Sequence, residues 1–355
     1  MKDRRIAILG AGAVGGTIGA YLTREGHDVT LIDGWAAHVE KINSEGLTYT
    51  DLNGSFTVQA KAVHLNDVCN IREPFDMVFL SVKSYYTRWA TCLIEPFLKP
   101  TGFVLPAQNG MNDELVASIV GHNRTVGCVV LYSGAMYEPA HVIRTDPLTT
   151  HAFTIGELSG MVTPRVREAV DLLSVIGPSE STANIWGLRW SKLAVNCMAN
   201  ALWGLLGPAV SSLNESQRIE MYSVMVTTAC EVVRVACAMG VAVEPLFGVP
   251  AEKFAEAKTK KDLGDLTKAF FAATAANRLS PEQEAKIGVP VRPSLLQDVI
   301  KGRRTEVEYL NGYAVEKGKE VGVAMPVNTA LTDLSKQMWE GKIKPGLENL
   351  KRLKG

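Results

Sequence analysis

Residues 6–16 read IAILGAGAVGG, an apolar, partly β-branched strand that runs straight into glycines at 10, 12 and 15. A helical stretch, Val14 to Arg24, follows, and a second apolar strand, VTLID, ends in Asp33. A strand, a tight turn, a helix and a second strand within about 30 residues leave little choice but a βαβ unit with two parallel strands. Gly10 permits the tight turn, Gly12 lets the backbone approach a pyrophosphate, and Gly15 lets the helix pack close on the strand. The pyrophosphate of a dinucleotide would sit on the helix N-terminus, where unpaired N–H groups and the helix dipole favour negative charge. A glycine-rich turn of this kind can also exist without a ligand. The preceding strand, the following helix and the acid closing the next strand together argue for ligand binding. The motif names a cofactor class and leaves the reaction open.

The chain has 355 residues, enough for two domains of ordinary size. Apolar residues make up 46% and charged residues 21%, as in an ordinary globular protein. Lys plus Arg (37) balances Asp plus Glu (37), so there is no electrostatic footprint for nucleic acid or an anionic membrane. Six cysteines without a C-x-x-C pair are expected to be free thiols in a reducing cytoplasm. The histidines show no H-x-x-x-H spacing and there is no thiolate cluster, so no metal site is expected. The N-terminal apolar run is too short for a signal segment. The longest charge-free stretch, Leu193 to Asn214, is interrupted by Asn196, Asn200 and Gly207-Pro208, and reads as a buried helix rather than a membrane span.

The first part alternates strand and helix. Strands are expected at Arg5–Leu9, Val29–Asp33, Met77–Val82, Phe103–Leu105 and Val126–Val130, and helices at Val14–Arg24, around Ala36–Ser44, Thr87–Leu98 and Asp113–Ile119. That order implies a Rossmann-type doubly wound, mostly parallel sheet. Residues His141 to Gly156 read as β, extending the sheet as an antiparallel edge. From Pro164 the period becomes helical, with helices expected at Arg165–Val175, Trp186–Leu205, Glu215–Met239, Pro250–Asn277, Ser294–Ile300, Thr305–Val321 and Asn328–Trp339. The division is thus a dinucleotide-binding α/β domain over 1–180 and an all-α domain over 181–355. Ligands of open α/β sheets bind outside the carboxyl ends of the strands. Catalytic groups are accordingly expected from strand ends of the first half and helices of the second.

Lys192, Asn196 and Asn200 lie in WSKLAVNCMANAL at i, i+4 and i+8, on one helix face. A lysine and two amides among apolar neighbours need partners. A substrate supplies them on one reading, and a polar seam between helices on another; spacing does not separate the two. Burial would lower the lysine pKa and make it a usable general acid. Glu306, in GRRTEVEYLNG, reads either as a carboxylate that orients the lysine or a substrate hydroxyl, or as a solvated helix charge; Glu308 reads as the latter. Asn109, in AQNGM, and Lys83, after FDMVFLSV, both stand at strand ends. Asn-Gly there is most often just a turn, while the position also places Asn109 to contact nicotinamide or substrate and the Lys83 ammonium to meet a carboxylate or a phosphate.

Taken together, these residues resemble the ketopantoate reductase (2-dehydropantoate 2-reductase) family over most of the chain. The shared motifs are GAGAVGG, SVK at 81–83, QNG at 108–110, WSKLAVNCMANAL at 190–202 and PSLLQDVIKGRRTEVEYLNG at 293–312. The resemblance implies an N-terminal Rossmann domain and a C-terminal helical domain. It implies that Lys192 protonates a ketone oxygen while nicotinamide delivers hydride to the carbon, and that Glu306 hydrogen-bonds the substrate hydroxyl. It implies further that Asn196, Asn200 and Ser294 hold the substrate, that Asn109 bridges cofactor and substrate, and that Lys83 stands near them.

Two departures stand out. The family default is NADP(H), with a basic residue just after the second strand. Here the strand ends Ile32-Asp33-Gly34-Trp35, with no Arg or Lys before Lys41. An Asp there accepts a ribose 2′-OH and repels a 2′-phosphate, so NAD(H) is expected. The chain also looks long between Lys258 and Pro293, just before Ser294, where a reshaped pocket would change the acid accepted. Three functions remain in play: a cytoplasmic reductase of ketopantoate or a related 2-oxo acid, a NAD-dependent dehydrogenase of another hydroxy acid, and a dinucleotide sensor without turnover. The partner is a small acid in the first two, and a homodimer through the helical domain is compatible with its apolar content.

Overall fold

The computed structural model describes residues 4–276 and 279–354. Its first unit opens with β1 (Arg5–Leu9), α1 (Ala13–Arg24), β2 (Asp28–Asp33) and α2 (Ala36–Glu45). Then follow β3 (Leu47–Asp51), β4 (Gly54–Val58), β5 (Lys61–His64), β6 (Phe75–Leu80), α3 (Thr87–Ile94), β7 (Leu98–Pro106) and α4 (Asp113–Val120). The unit continues with β8 (Val126–Val130), β9 (Gly134–Glu138), β10 (His141–Arg144), β11 (Phe153–Glu157), α5 (Pro164–Leu173) and β12 (Ser179–Ser181). The main sheet has the order β5-β2-β1-β6-β7, and every pairing in it is parallel. Period-two alternation sends Ile6 and Ile8 of β1 into one apolar cluster and Ala7 and Leu9 into another. The sheet is therefore covered on both faces, as a parallel sheet must be. The chain builds outward from β1 to β2 on one side and then to β6 on the other. That reversal puts the switch point, where such sheets bind ligands, at the carboxyl ends of β1 and β6.

Two further sheets complete this unit, with orders β4-β3-β10-β9 and β12-β11-β8. An isolated parallel bridge, Val104 to Thr125, ties the second of these to β7. The antiparallel edge expected on the main sheet over 141–156 does not form: β11 runs antiparallel to β8, but as the middle strand of the separate β12-β11-β8 sheet. β10 instead pairs parallel with β3 and antiparallel with β9, away from the main sheet. The β3–β4 hairpin falls in a stretch to which no element was assigned from sequence. Its Asp51 carboxylate accepts the Asn53 and Gly54 N–H groups at 2.6 and 3.2 Å and closes the turn.

The second unit comprises Asn109–Met111 and all but one of the helices from Ile185 on. These are α6 (Ile185–Leu206), α7 (Glu215–Ala238), α8 (Ala251–Glu256) and α9 (Lys260–Ala276), then α10 (Pro281–Ile287), α11 (Ser294–Ile300), α12 (Asn311–Glu320), α13 (Pro326–Trp339) and α14 (Glu348–Lys351). Of these, α10 groups with the first unit. One apolar cluster, from Trp190 and Met198 through Val226 and Val233 to Leu310 and Leu331, forms the core. Ile185–Ser212 and Glu215–Ala238 are long and apolar enough to cross a bilayer by length and composition, and 67% of the 18-residue apolar window in each is buried.

The helix expected over 250–277 breaks into α8 and α9, because Ala257 is extended (φ −60°, ψ 110°). Arg234 of α7 donates to the Ala255 and Ala257 carbonyls and so satisfies the acceptors the break exposes. Asn277, the end expected from sequence, lies outside the described residues. The helix expected from Thr305 begins only at Asn311, after a 3-10 turn over Val307–Tyr309 and an irregular Leu310 (φ −111°, ψ −91°).

Candidate active site

The glycine turn is fixed peptide by peptide. Gly10 has φ +97°, a conformation that favours glycine, and a Cβ there would meet the Ser81 backbone at 2.8 Å. Ser81 donates its hydroxyl to the Gly10 carbonyl at 2.7 Å. The Ala11 N–H donates to Asp33 Oδ2 at 2.7 Å, and Asp33 Oδ1 accepts the Trp35 N–H at 2.9 Å. The Asp33 carboxylate therefore lies against the turn itself. Two backbone bonds leave lone pairs over on a carboxylate, which has about four acceptor sites.

His38, fully buried on α2, faces the same turn: its Nε2 stands 2.9 Å from the Ala11 carbonyl, and its Nδ1 accepts the Ala140 N–H at 2.8 Å. Burial lowers its pKa below the usual 6.5, with Asp33 partly opposing. Trp35 stacks on the ring at 5.7 Å with planes 16° apart. At Gly15 a Cβ would fall 2.0 Å from the Gly10 oxygen, so close packing alone demands glycine. At Gly12, the N-cap of α1, a Cβ would meet nothing within 4 Å, and no side chain caps the helix. An open cradle beside an uncapped helix N-terminus, with an acid at the end of β2, fits a dinucleotide.

The loops after β6 and β7 are pinned to each other. Gln108 donates to the Val82 carbonyl at 2.7 Å and to Thr87 Oγ1 at 2.9 Å. Thr87 donates to Asn112, and Asn112 in turn to Ser84 Oγ at 3.2 Å. This network holds both ends of the short segment carrying Asn109, and it holds the backbone at Lys83, which directly precedes a 3-10 turn after β6 and is half-buried.

In the helical unit, Asn200 Nδ2 donates to Asn196 Oδ1 and Asn196 Nδ2 donates to Asn109 Oδ1, each at 3.2 Å. Asn196 and Asn200 are buried, and Lys192, one turn earlier on the same face of α6, is half-buried. The stripe continues to Gly204, where a Cβ would stand 3.6 Å from that of Leu295. That is ordinary van der Waals distance, so the start of α11 packs beside this end of the stripe, and Ser294 is the first residue of that helix. Glu306 is 3% exposed and precedes the 3-10 turn in irregular backbone, which removes the reading of a solvated helix charge. Glu308 is such a charge, paired with Arg304 at 2.6 Å and Lys336 at 3.4 Å.

The structure thus brings Asn109, Asn196 and Asn200 into one hydrogen-bonded row with Lys192 on the same helix face. It gathers Gly10, Gly12, Gly15 and Asp33 at the turn. Sequence reasoning missed His38 as a turn contact and gave Ser81 no role beyond its motif. It also missed Asn311, whose Nδ2 donates to the Cys197 carbonyl of α6 at 3.1 Å and to Asn328 Oδ1 at 3.0 Å. The only signal for Ser81 was its place beside Lys83 at a strand end.

Residues 6–160 match the family model described as ketopantoate reductase PanE/ApbA, and residues 184–339 match the model of its C-terminal part. A 2-dehydropantoate 2-reductase of Pyrococcus abyssi is 29% identical over 346 residues, covering 95% of this chain and 99% of that one. The crystal structure of a PanE/ApbA family ketopantoate reductase from Ralstonia eutropha JMP134 superposes with a TM-score of 0.73 at 26% identity, over 95% of this chain and 99% of the other. D-mandelate dehydrogenase, solved with NADH and anilino(oxo)acetate, shares the fold at a TM-score of 0.75 and 24% identity, over 95% and 99% of the two chains. The two family models together span most of the chain, and the chain belongs to the ketopantoate reductase (PanE/ApbA) family.

Proposed function

We propose that this protein is an oxidoreductase that reduces a small 2-oxo acid, ketopantoate to pantoate, with Lys192 as general acid. The observation that carries the reading is the buried row Asn200–Asn196–Asn109 with Lys192 on its face of α6. Buried amides arranged head to tail orient a polar ligand, and a neighbouring ammonium stabilises an oxyanion by charge before giving up a proton. When bound, the reduced nicotinamide supplies the hydride. Lys192 protonates the oxygen of the reduced carbonyl, Glu306 accepts the substrate hydroxyl, and Asn196, Asn200 and Ser294 hold the acid. Asn109 orients cofactor and substrate together, and Lys83 contributes positive charge beside them. The dinucleotide belongs to the first domain, over 1–180, and the substrate to the second, over 181–355.

The cofactor preference in this proposal is NADH. Asp33 is drawn against the glycine turn, where it accepts a 2′-OH and repels a 2′-phosphate. The same feature supports a second reading, oxidation of a different hydroxy acid with NAD.

One set of assays tests both parts. Turnover of ketopantoate and a panel of 2-oxo and hydroxy acids is measured with NADH and NADPH, for the wild type and for Lys192→Ala. The substitution is expected to lower kcat by about 10²–10⁴ while cofactor affinity holds. Undiminished turnover in Lys192→Ala removes the general-acid assignment, a strong NADPH preference removes the Asp33 argument, and no turnover by the wild type leaves a binding protein.

A further inference from the structure

The two peptide planes of the glycine turn differ in how they are held. The Gly10–Ala11 peptide is anchored at both ends, its carbonyl by Ser81 and its N–H by Asp33. The Ala11–Gly12 peptide is anchored at its carbonyl alone, by His38. The ring's tautomer follows from its second contact. Because the Ala140 N–H must donate to Nδ1, that nitrogen carries a lone pair, and the proton of the neutral ring sits on Nε2, where it donates to the Ala11 oxygen. A trans peptide directs its N–H opposite to its C=O. Drawing the Ala11 carbonyl toward a buried ring on α2 therefore turns the Gly12 N–H away from α2. Among the described residues no acceptor is recorded for that N–H, and the space beside Gly12 is open.

We propose that His38 is the positioning residue of the nucleotide turn: as the neutral Nε2–H tautomer it holds the Ala11 carbonyl inward and thereby aims the Gly12 N–H at the cofactor's pyrophosphate. The ring itself never touches the ligand. Its second bond, to Ala140, which has φ +57°, anchors the strut in the β9–β10 turn. This inference rests on the dinucleotide reading of the turn.

Two conservative substitutions separate the two bonds. Gln places an amide nitrogen near the position of Nε2 and keeps the donor to Ala11; Asn places an oxygen near the position of Nδ1 and keeps the acceptor for Ala140. The Kd for NADH is measured by calorimetric titration of the full chain, together with Tm and kcat at saturating cofactor. His38→Asn is expected to raise the Kd about tenfold, with kcat little changed. His38→Gln should stay within about threefold of the wild type at a similar Tm. Affinities that fall equally in both variants, in step with Tm, would make His38 a structural residue only, and unchanged affinity in both would overturn the proposal outright. The wild type gives a check that needs no substitution. The nitrogen chemical shifts of the His38 ring at pH 7 should report the neutral Nε2–H form, and an Nδ1–H or doubly protonated ring contradicts it. If the wild type binds neither NADH nor NADPH, the cofactor reading falls and this inference with it, whereas a wild type that binds with indifferent variants overturns this inference alone.

Discussion

A Cβ built on Gly15 falls 2.0 Å from the Gly10 carbonyl oxygen and 2.4 Å from Ser81 Oγ, whereas one built on Gly12 meets nothing within 4 Å. The fold therefore demands glycine at position 15 and leaves position 12 open, where the proposed dinucleotide would lie. Gly15→Ala forces α1 off β1 and is expected to cost about 1–3 kcal/mol or more, as overpacking does. Gly12→Ala, at a φ of −68° that any residue adopts, should leave stability within about 0.5 kcal/mol. It should still weaken NADH binding tenfold or more, because the methyl group occupies the cradle. Thermal melts beside NADH titrations check the pair; equal stability losses in both variants would remove the distinction. The glycines were legible in the sequence because their meaning is local. The contacts of Ser81 with Gly10 and of His38 with Ala11 span 71 and 27 residues, so no short window holds both partners. Asn109 and Asn196 were legible singly, and their contact across 87 residues was not.

Among the elements, α13 shows how a buried charge can serve a helix end. Its N-cap residue, Met325, offers no side-chain acceptor. The vacancy is filled from α7: Glu231, 2% exposed, accepts the Val327 and Asn328 N–H groups at 3.0 Å and the Asn328 side chain at 2.8 Å. Burial raises the Glu231 pKa, and the bonds from Asn328 and Val327 oppose that rise. Asn328 passes the contact on to Asn311, which reaches the Cys197 carbonyl, so one acidic residue organises α7, α13, α12 and α6. Glu231→Ala leaves buried donors unpaired and is expected to cost about 3 kcal/mol in urea unfolding. Glu308→Ala, which breaks a surface ion pair, should cost less than about 1 kcal/mol. Comparable losses for the two would mean that the cap contributes little.

The same dependence on distant partners governs which elements could be read in advance. α6 and α7 carry their own long apolar periodicity. The break at Ala257 depends on Arg234, 23 residues away. The β3–β4 hairpin did carry a local signal, Asn53-Gly54 between two short alternating runs, but its strands are too short and half-exposed to stand out.

At the scale of the whole chain, the alternation of strand and helix followed by helices alone specifies an α/β part and an α part, because each kind of element can bury its apolar face only against certain others. What no periodicity encodes is where the chain leaves one unit to contribute to the other. Asn109–Met111 groups with the helical unit and Leu279–Val291 with the α/β unit. Each unit keeps its own core, since the apolar clusters around β1 and the cluster around α7 share no residue. Separate cores make separate cooperative units, and a ligand stabilises the unit that binds it. The glycine turn, Asp33 and His38 all belong to the α/β unit, so NADH alone should act there first. At a hundred times its Kd the cofactor contributes about 2.7 kcal/mol. Hydrogen exchange should therefore slow by up to about a hundredfold in β1, α1 and α2, while the core amides of α7 and α13 exchange at their original rate. Equal slowing of α7 and α13 by NADH alone would mean that the two cores open as one, and the assignment of the dinucleotide to the first unit's folding equilibrium would have to be abandoned.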